Sequence, residues 1–310
     1  MDLVYINEIA FENVAIIWLQ FFHFYIFRSV LFFNTLPYNK KVSFYAYHYG
    51  PVLHGQPISH DIGVSALMES QQTLTIMSYN IRHGEGSDNV FDLDRIAEVI
   101  RASGADLIGL QEVDRYFSDR SQYEDTIAVL AEALGMHWCY AANVIEEPEP
   151  GREEHRQYGI AILSKYEIED QQHLKLTSDE SEQRGALYAR VDADGTRLHF
   201  YCTHLGLEQE ERLTQVQELL LASNHHKAEC CILTGDFNAH PDDPEIAKIT
   251  TGFDNVFKDA PEAYTFPAGE ANETIDYILI NPQIQLKDKE VIHSLASDHY
   301  PIVAKVCLNA

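Results

Sequence analysis

Three observations predict an α/β domain running from about residue 70 to the C-terminus. Short apolar runs of strand length alternate with segments whose apolar residues recur at helical spacing. The composition, 45% hydrophobic and 23% charged, is that of a soluble globular chain, and 310 residues are enough for a well-buried core. Neither repeats nor low-complexity tracts interrupt the pattern.

The first strand is "LTIMSYN", from Leu74. "FDLDRIAEVIRASG" puts Leu93, Ile96, Ala97 and Ile100 on one helical face and stops at Gly104, a residue suited to the left-handed conformation that ends helices. "DLIGLQE" is a buried strand, and "YEDTIAVLAEALG" is a second helix closing on Gly135. Strands are expected near 158–164, 186–192 and 197–203, then an amphipathic helix through Leu213, Val216 and Leu220, then strands near 231–235, 275–280 and 301–307. The acidic stretch "IEEPEPGREEH" reads as a solvated loop.

Residues 1–67 differ in character. They hold 15 of the 34 aromatic residues and seven charged side chains, Asp2, Glu8, Glu12, Arg28, Lys40, Lys41 and Asp61. The uncharged run "NVAIIWLQFFHFYIF" is shorter than the roughly 20 residues that span a bilayer, and Gln20 and His23 interrupt it. It has no small-residue signal-peptide cleavage site. The preferred reading is an extension not native to a domain occupying 68–310 and starting at Met68; the alternative is a marginal anchor or interfacial segment, with membrane association through residues 13–33. If that segment spans, Arg28, Lys40 and Lys41 keep the domain beyond it in the cytoplasm.

The formal net charge is −26, from 22 Lys and Arg against 48 Asp and Glu, which opposes non-specific attraction to a polyanion and disfavours nucleic acid. The five cysteines are odd in number and lack C-x-x-C spacing, so they read as reduced core residues and favour a cytoplasmic location.

Polar side chains recur where the apolar runs stop. "SYNIRHG" ends a strand on Asn80, "LIGLQEVD" on Glu112, "FYCTHLG" on His204, and "ILTGDFNAHPDD" on Asp236 and Asn238. "TIDYILI" starts on Asp276, and "ASDHYPIV" offers Asp298 and His299. If the Asp236 strand continues through Asn238, period-two alternation puts both residues on one face at the sheet's C-terminal edge, where α/β folds place their chemistry. Each edge alone is an ordinary cap or turn; six together suggest a site.

In order along the chain, "SYNIR", "LQEVD", "GIAILS", "THLG", "GDFNA", "IDYI" and "SDHYP" resemble the motifs of the endonuclease/exonuclease/phosphatase superfamily, over about Thr73 to Leu308. The resemblance implies a deoxyribonuclease I-like four-layer sandwich, two face-packed mixed β-sheets flanked by helices, acting as a metal-dependent hydrolase of a phosphoester, with a phosphodiester preferred. It further implies that Glu112 ligates Mg²⁺, for which Mn²⁺ can substitute, assisted by Asn80 and Asp298; hard oxygen ligands suit these ions. Asp236 would activate the attacking water and Asn238 would position it or the phosphate. His299, held by Asp276, would stabilise the transition state, with His204 as a second acid or donor and Arg184 as a phosphate contact. Many relatives carry a basic residue where this chain has Thr274, so one phosphate contact is missing. Small or lipid-derived phosphodiesters rank above DNA or RNA because no basic cluster is visible, and a monomer is expected. The remaining alternatives are a sphingomyelinase-type lipid phosphodiesterase, a nuclease, and a non-catalytic binding domain that keeps the fold.

Overall fold

The computed structural model describes residues 5–11, 14–20, 29–30, 72–260 and 262–308. It divides into two compact units, Met1–Ser70 and Gln71–Ala310. In the first, β1 (Tyr5–Phe11), β2 (Val14–Gln20) and β3 (Ser29–Val30) form an antiparallel sheet in that order. Of the stretch 13–33 weighed as an anchor, residues 14–20 and 29–30 are therefore strand, and the rest of it lies outside the described residues. Among the described residues no helix is long and apolar enough to cross a membrane.

The second unit runs β4 (Thr73–Asn80), α1 (Leu93–Ser103), β5 (Leu107–Arg115), α2 (Thr126–Leu134), β6 (His137–Glu146), β7 (Arg156–Ser164), β8 (Ile168–Lys175), β9 (Gly185–Ala193) and β10 (Thr196–His204). It continues with α3 (Gln209–Ser223), β11 (Cys230–Asp236), α4 (Pro244–Ile249), β12 (Asp254–Asn255), β13 (Asp276–Ile280), β14 (Ile284–Val291) and β15 (Ile302–Leu308). Two six-stranded sheets result, ordered β14-β15-β4-β5-β7-β6 and β12-β13-β11-β10-β9-β8. Both are mixed, because β4 with β5 and β10 with β11 are parallel pairs inside otherwise antiparallel ladders.

Period-two alternation explains the layers. On β4, Leu74 and Ile76 face the opposite sheet, while Met77 and Tyr79 face α1 and α2. On β11, Cys230 and Ile232 face inward, while Cys231 and Leu233 pack with α3 and α4. The result is a four-layer sandwich with one core between the sheets and one under each helical layer, each fully buried aliphatic contributing about 1.5–3 kcal/mol.

The helix ends match their sequence signals. Asp92 caps α1 by accepting from Arg95 N (3.2 Å), and Gly104 and Gly135 close α1 and α2 at φ 68° and 65°. The buried face of α3 differs from the expected one: it carries Arg212, Gln215, Val216, Leu219 and Ser223, with Leu213 and Leu220 only half-buried. Arg212 is tolerated there because its Nε lies 2.7 Å from a carboxylate oxygen of the buried Glu245.

Beneath the polar end of the sandwich the sheets come unusually close. A Cβ at Gly109 on β5 would lie 2.2 Å from Thr234 Oγ1 on β11, a hydroxyl held by its bond to Tyr201 O. Gly109→Ala is therefore expected to cost about 1–3 kcal/mol of stability, read as a lowered urea midpoint. An unchanged midpoint would mean that the sheets can part there freely.

Candidate active site

The inward-facing stripes do not end in apolar residues. On β4 the stripe Leu74, Ile76, Ser78 ends at Asn80; on β10 the stripe Leu198, Phe200, Cys202 ends at His204; on β11 the stripe Cys230, Ile232, Thr234 ends at Asp236. On β13 the stripe Ile280, Ile278 runs back to Asp276, which pairs directly with Asp236. The alternation that builds the central core thus delivers four polar side chains from both sheets to one end. His299 joins them from the segment that enters β15.

Asn80 lies at the centre. Its Nδ2 donates to Glu112 Oε1 and to Asp236 Oδ2, each at 3.0 Å, and sits 3.5 Å from His299 Nε2. Its Oδ1 accepts from Arg82 N at 3.1 Å. His204 Nε2 is 3.6 Å from Asp236 Oδ2, and His299 Nε2 is 3.8 Å from the same oxygen. His299 Nδ1 donates to Asp276 Oδ2 at 2.9 Å. Arg184, buried at the entry to β9, points one guanidinium nitrogen at His204 Nδ1 (3.2 Å) and at Glu182 (2.9 Å).

Two expectations about backbone placement are corrected. Glu112 does not end its strand: β5 continues to Arg115 through a bulge between Leu110 and Val113, and Glu112 sits in the bulge at φ 57°. A bulge re-aims a side chain, and here it turns Glu112 toward Asn80. Asn238 does not share a strand face with Asp236. β11 stops at Asp236, and Asn238, at φ 47°, folds back so that its N–H donates to Asp236 Oδ1 (2.9 Å) and its Nδ2 to Leu205 O (3.0 Å). An Asx turn, not alternation, brings it to the site. Thr274 is buried and donates its hydroxyl to Ala263 O, so it replaces the missing basic residue with no polar contact at the site.

Burial and neighbours set the charges. Burial first, and then Asp276, push the Asp236 carboxyl up to about 7, against the pull of His299 and the bonds from Asn238 and Asn80. Burial alone would lower His299, but the charge and hydrogen bond of Asp276, with Asp236 and Asp298 beyond, raise it to about 10. His299 is therefore cationic. Its Nε2–H has no carboxylate within hydrogen-bond range, which leaves it free to donate. Burial, with Arg184 and His299, holds His204 well below the usual range; since Arg184 donates to Nδ1, the neutral ring carries its proton on Nε2, facing Asp236.

Among the described residues, two groups of side chains offer several ligand atoms within 4.8 Å of one another, Asp236 with Asp276 and His299, and His199 with His226 and Glu229. In the first, both imidazole nitrogens of a cationic ring carry protons, so it is a hydrogen-bonded chain and not a cation cage. In the second, the two rings stack at 3.8 Å and 15°, which directs their lone pairs side by side and not toward one point. Glu112 fits a divalent cation better. Burial, with the charge of Asp298, raises its carboxyl against the bond from Asn80 and the charges of His299 and Arg184, so a cation would relieve its charged form. Asp298, 30% exposed at its side chain, adds a second oxygen donor. Asn80 fits as a ligand only with its amide reversed, since the nitrogen faces Glu112.

Arg82 and Ser297 carry no role in the sequence reading. Arg82 Nε lies 3.6 Å from Asp298 Oδ2. Ser297 Oγ donates to Asn80 O at 2.8 Å and accepts from His299 N at 3.3 Å, tying two site segments together. Their signal was position alone, Arg82 two residues after Asn80 and Ser297 two before His299.

Comparison with known proteins agrees with this fold. The uncharacterized protein YbhP of Escherichia coli (strain K12) is 28% identical over 263 residues, 77% of this chain and 98% of that one. An endonuclease/exonuclease/phosphatase from Beutenbergia cavernae superposes with a TM-score of 0.65 at 21% identity, covering 77% of this chain and 72% of the other. The human Nocturnin catalytic domain with bound sulfate anion gives 0.60 at 19% identity, covering 76% and 93%. The model of the Endonuclease/Exonuclease/phosphatase family matches residues 77–299, a stretch that contains every converging side chain described above. A sandwich in which the inward stripes of β4, β10, β11 and β13 turn polar at one end, matched over that length, places this chain in the Endonuclease/Exonuclease/phosphatase family, whose members are hydrolytic phosphoesterases.

Proposed function

We propose that the domain hydrolyses a phosphoester, with a phosphodiester as first choice, by attack of a water activated at Asp236. The observation that carries this reading is the environment of Asp236: a buried carboxylate poised near neutrality, held by Asn80 at 3.0 Å and faced by two histidines of opposite charge state. Asp236 accepts a proton from water as the oxygen attacks phosphorus and the bond to the leaving oxygen breaks. The His299 cation donates to the phosphoryl or leaving oxygen, and the neutral His204 donates through Nε2–H. Asn238, held by Asp236 and Leu205, presents its remaining amide oxygen and fixes the turn. Arg184 acts through His204, because its nearest guanidinium nitrogen is occupied by that ring and by Glu182.

Glu112 and Asp298 would hold Mg²⁺ or Mn²⁺, which when bound neutralises charge on the phosphoryl oxygens. Removing the negative charge of a ligand should cost the ~10–100-fold in metal affinity that disturbing a ligand's support costs. Glu112→Gln is therefore expected to raise the Mg²⁺ concentration for half-maximal hydrolysis of bis(p-nitrophenyl) phosphate by about that factor, with the fold intact. Unchanged metal dependence would remove Glu112 from the ligand set. No hydrolysis of mono- or diesters by the unsubstituted chain, with Mg²⁺ or Mn²⁺, would overturn the reading itself.

A further inference from the structure

We infer that a groove beside this centre is the subsite for the alcohol part of the ester, and that it takes a neutral, hydroxyl-rich ring of the kind carried by sugar phosphates. The inference rests on the phosphoester reading. The inward stripes of two more strands carry the groove: Cys139 and Ala141 on β6 lead to Asn143, and Ile162 and Ile160 on β7 lead to Tyr158. These are the same inner face and the same polar end that deliver Asn80 and Asp236. Tyr158 precedes Gly159, the partner of Val113 at the Glu112 bulge, and Glu182 on the groove wall pairs with Arg184, which bonds His204. Two lining residues thus connect the groove, about 570 Å³ and with room for one ring, to the segments that carry Glu112 and His204.

Its lining selects by hydrogen bonds. Tyr158 lines the groove, and its hydroxyl has no hydrogen-bond partner among the described residues. Gln183 spends its amide nitrogen on Leu176 O and Arg184 O (2.7 and 2.8 Å), leaving its oxygen as an acceptor. Arg120 is locked by Asp114, buried, through Nε and Nη2 (2.9 and 2.8 Å), which leaves Nη1 as a fixed donor. A fixed array of donors and acceptors beside aromatic rings suits ring hydroxyls.

Other occupants fit less well. A second phosphate would need an unpaired cation, yet Arg120 is paired with Asp114, Arg156 with Glu146 and Arg184 with Glu182. A stacked nucleobase would need a free aromatic face, whereas the Arg120 guanidinium lies over Phe117 at 4.4 Å and Tyr158 at 5.5 Å. An acyl chain would meet the carboxylates of Glu146 and Glu182.

The test is a KM comparison on the full chain with Mg²⁺, using glucose 6-phosphate, mannose 6-phosphate and glycerophosphoinositol against p-nitrophenyl phosphate, bis(p-nitrophenyl) phosphate, a dinucleotide and lysophosphatidylcholine. At least one ring ester is expected to show the lowest KM. Tyr158→Phe, which keeps the ring's packing, should raise the ratio of that KM to the nitrophenyl KM about 3- to 10-fold, the weight of one hydrogen bond. A ratio unchanged in Tyr158→Phe, or a lower KM for the dinucleotide or the lysolipid, would overturn the subsite while leaving the hydrolase reading standing. Failure to hydrolyse any of the esters would overturn both.

Discussion

Asp236→Asn is expected to lower kcat by about 10²–10⁴-fold while leaving KM nearly unchanged. Neither histidine facing the carboxyl can take the proton from water in its place: His299 is already cationic, and the Nδ1 of His204 is occupied by Arg184. Asparagine keeps the shape of the side chain, and its single amide oxygen can still accept from the Asn238 N–H, now bonded to Oδ1, while the bond that Asn80 makes to Oδ2 is lost. The fold is therefore retained and the base is lost. Because a base acts in the transition state and not in substrate binding, the loss belongs in kcat. Steady-state kinetics on bis(p-nitrophenyl) phosphate decides the point, and a variant whose defect lies mainly in KM would make Asp236 a binding residue.

The parts of this molecule that were legible in the sequence are those governed by burial. Strands β4, β5, β7, β9, β10, β11, β13 and β15 are flanked by neighbours and packed on both faces, so they appear as apolar runs that stop at a polar residue. Asn80, His204, Asp236 and Asp276 were found at the ends of such runs, because the period-two stripe reports both the core and the point where the core gives way to chemistry.

What escaped notice lies at the edges. In the second unit the strands that were not anticipated, β6, β8, β12 and β14, are the outer strands of its two sheets; β1, β2 and β3 of the first unit were not anticipated either. "IEDQQHLK" and "IQLKDKEV" carry charged and amide side chains on an exposed face, as edge strands do to discourage further pairing, and so present no apolar run. The six-residue α4 is too short for helical periodicity to show. The bulge at Glu112 and the Asx turn at Asn238 were missed for another reason: both depend on a positive φ in a residue other than glycine, which the local sequence does not announce. Asn143 lies on the edge strand β6, where no apolar run marks the inward stripe.

The pairing of Asp276 with His299 supplies the second large effect. His299 can donate to a phosphate oxygen only while its ring is fixed and charged, and Asp276 does both, through the 2.9 Å bond to Nδ1 and through its charge. Asp276→Asn keeps an oxygen that can accept from Nδ1 but removes the charge; it also removes one of the influences that raise Asp236, which lowers the basicity of the base. His299→Ala removes the donor outright. Each substitution is expected to lower kcat/KM by about 10²-fold or more. If Asp276 works through His299, the double variant should be little worse than His299→Ala alone, a coupling of about 1–3 kcal/mol. Any residue of the Asp276 effect that persists without His299 measures its separate influence on Asp236, so the same cycle apportions the two roles. Melting curves on all four proteins separate these losses from unfolding, since both groups are buried and Asp276 Oδ1 already lacks a hydrogen-bond partner among the described residues. Fully additive losses in correctly folded variants would show two independent residues, and the chain from Asp276 through His299 to the phosphate would have to be abandoned.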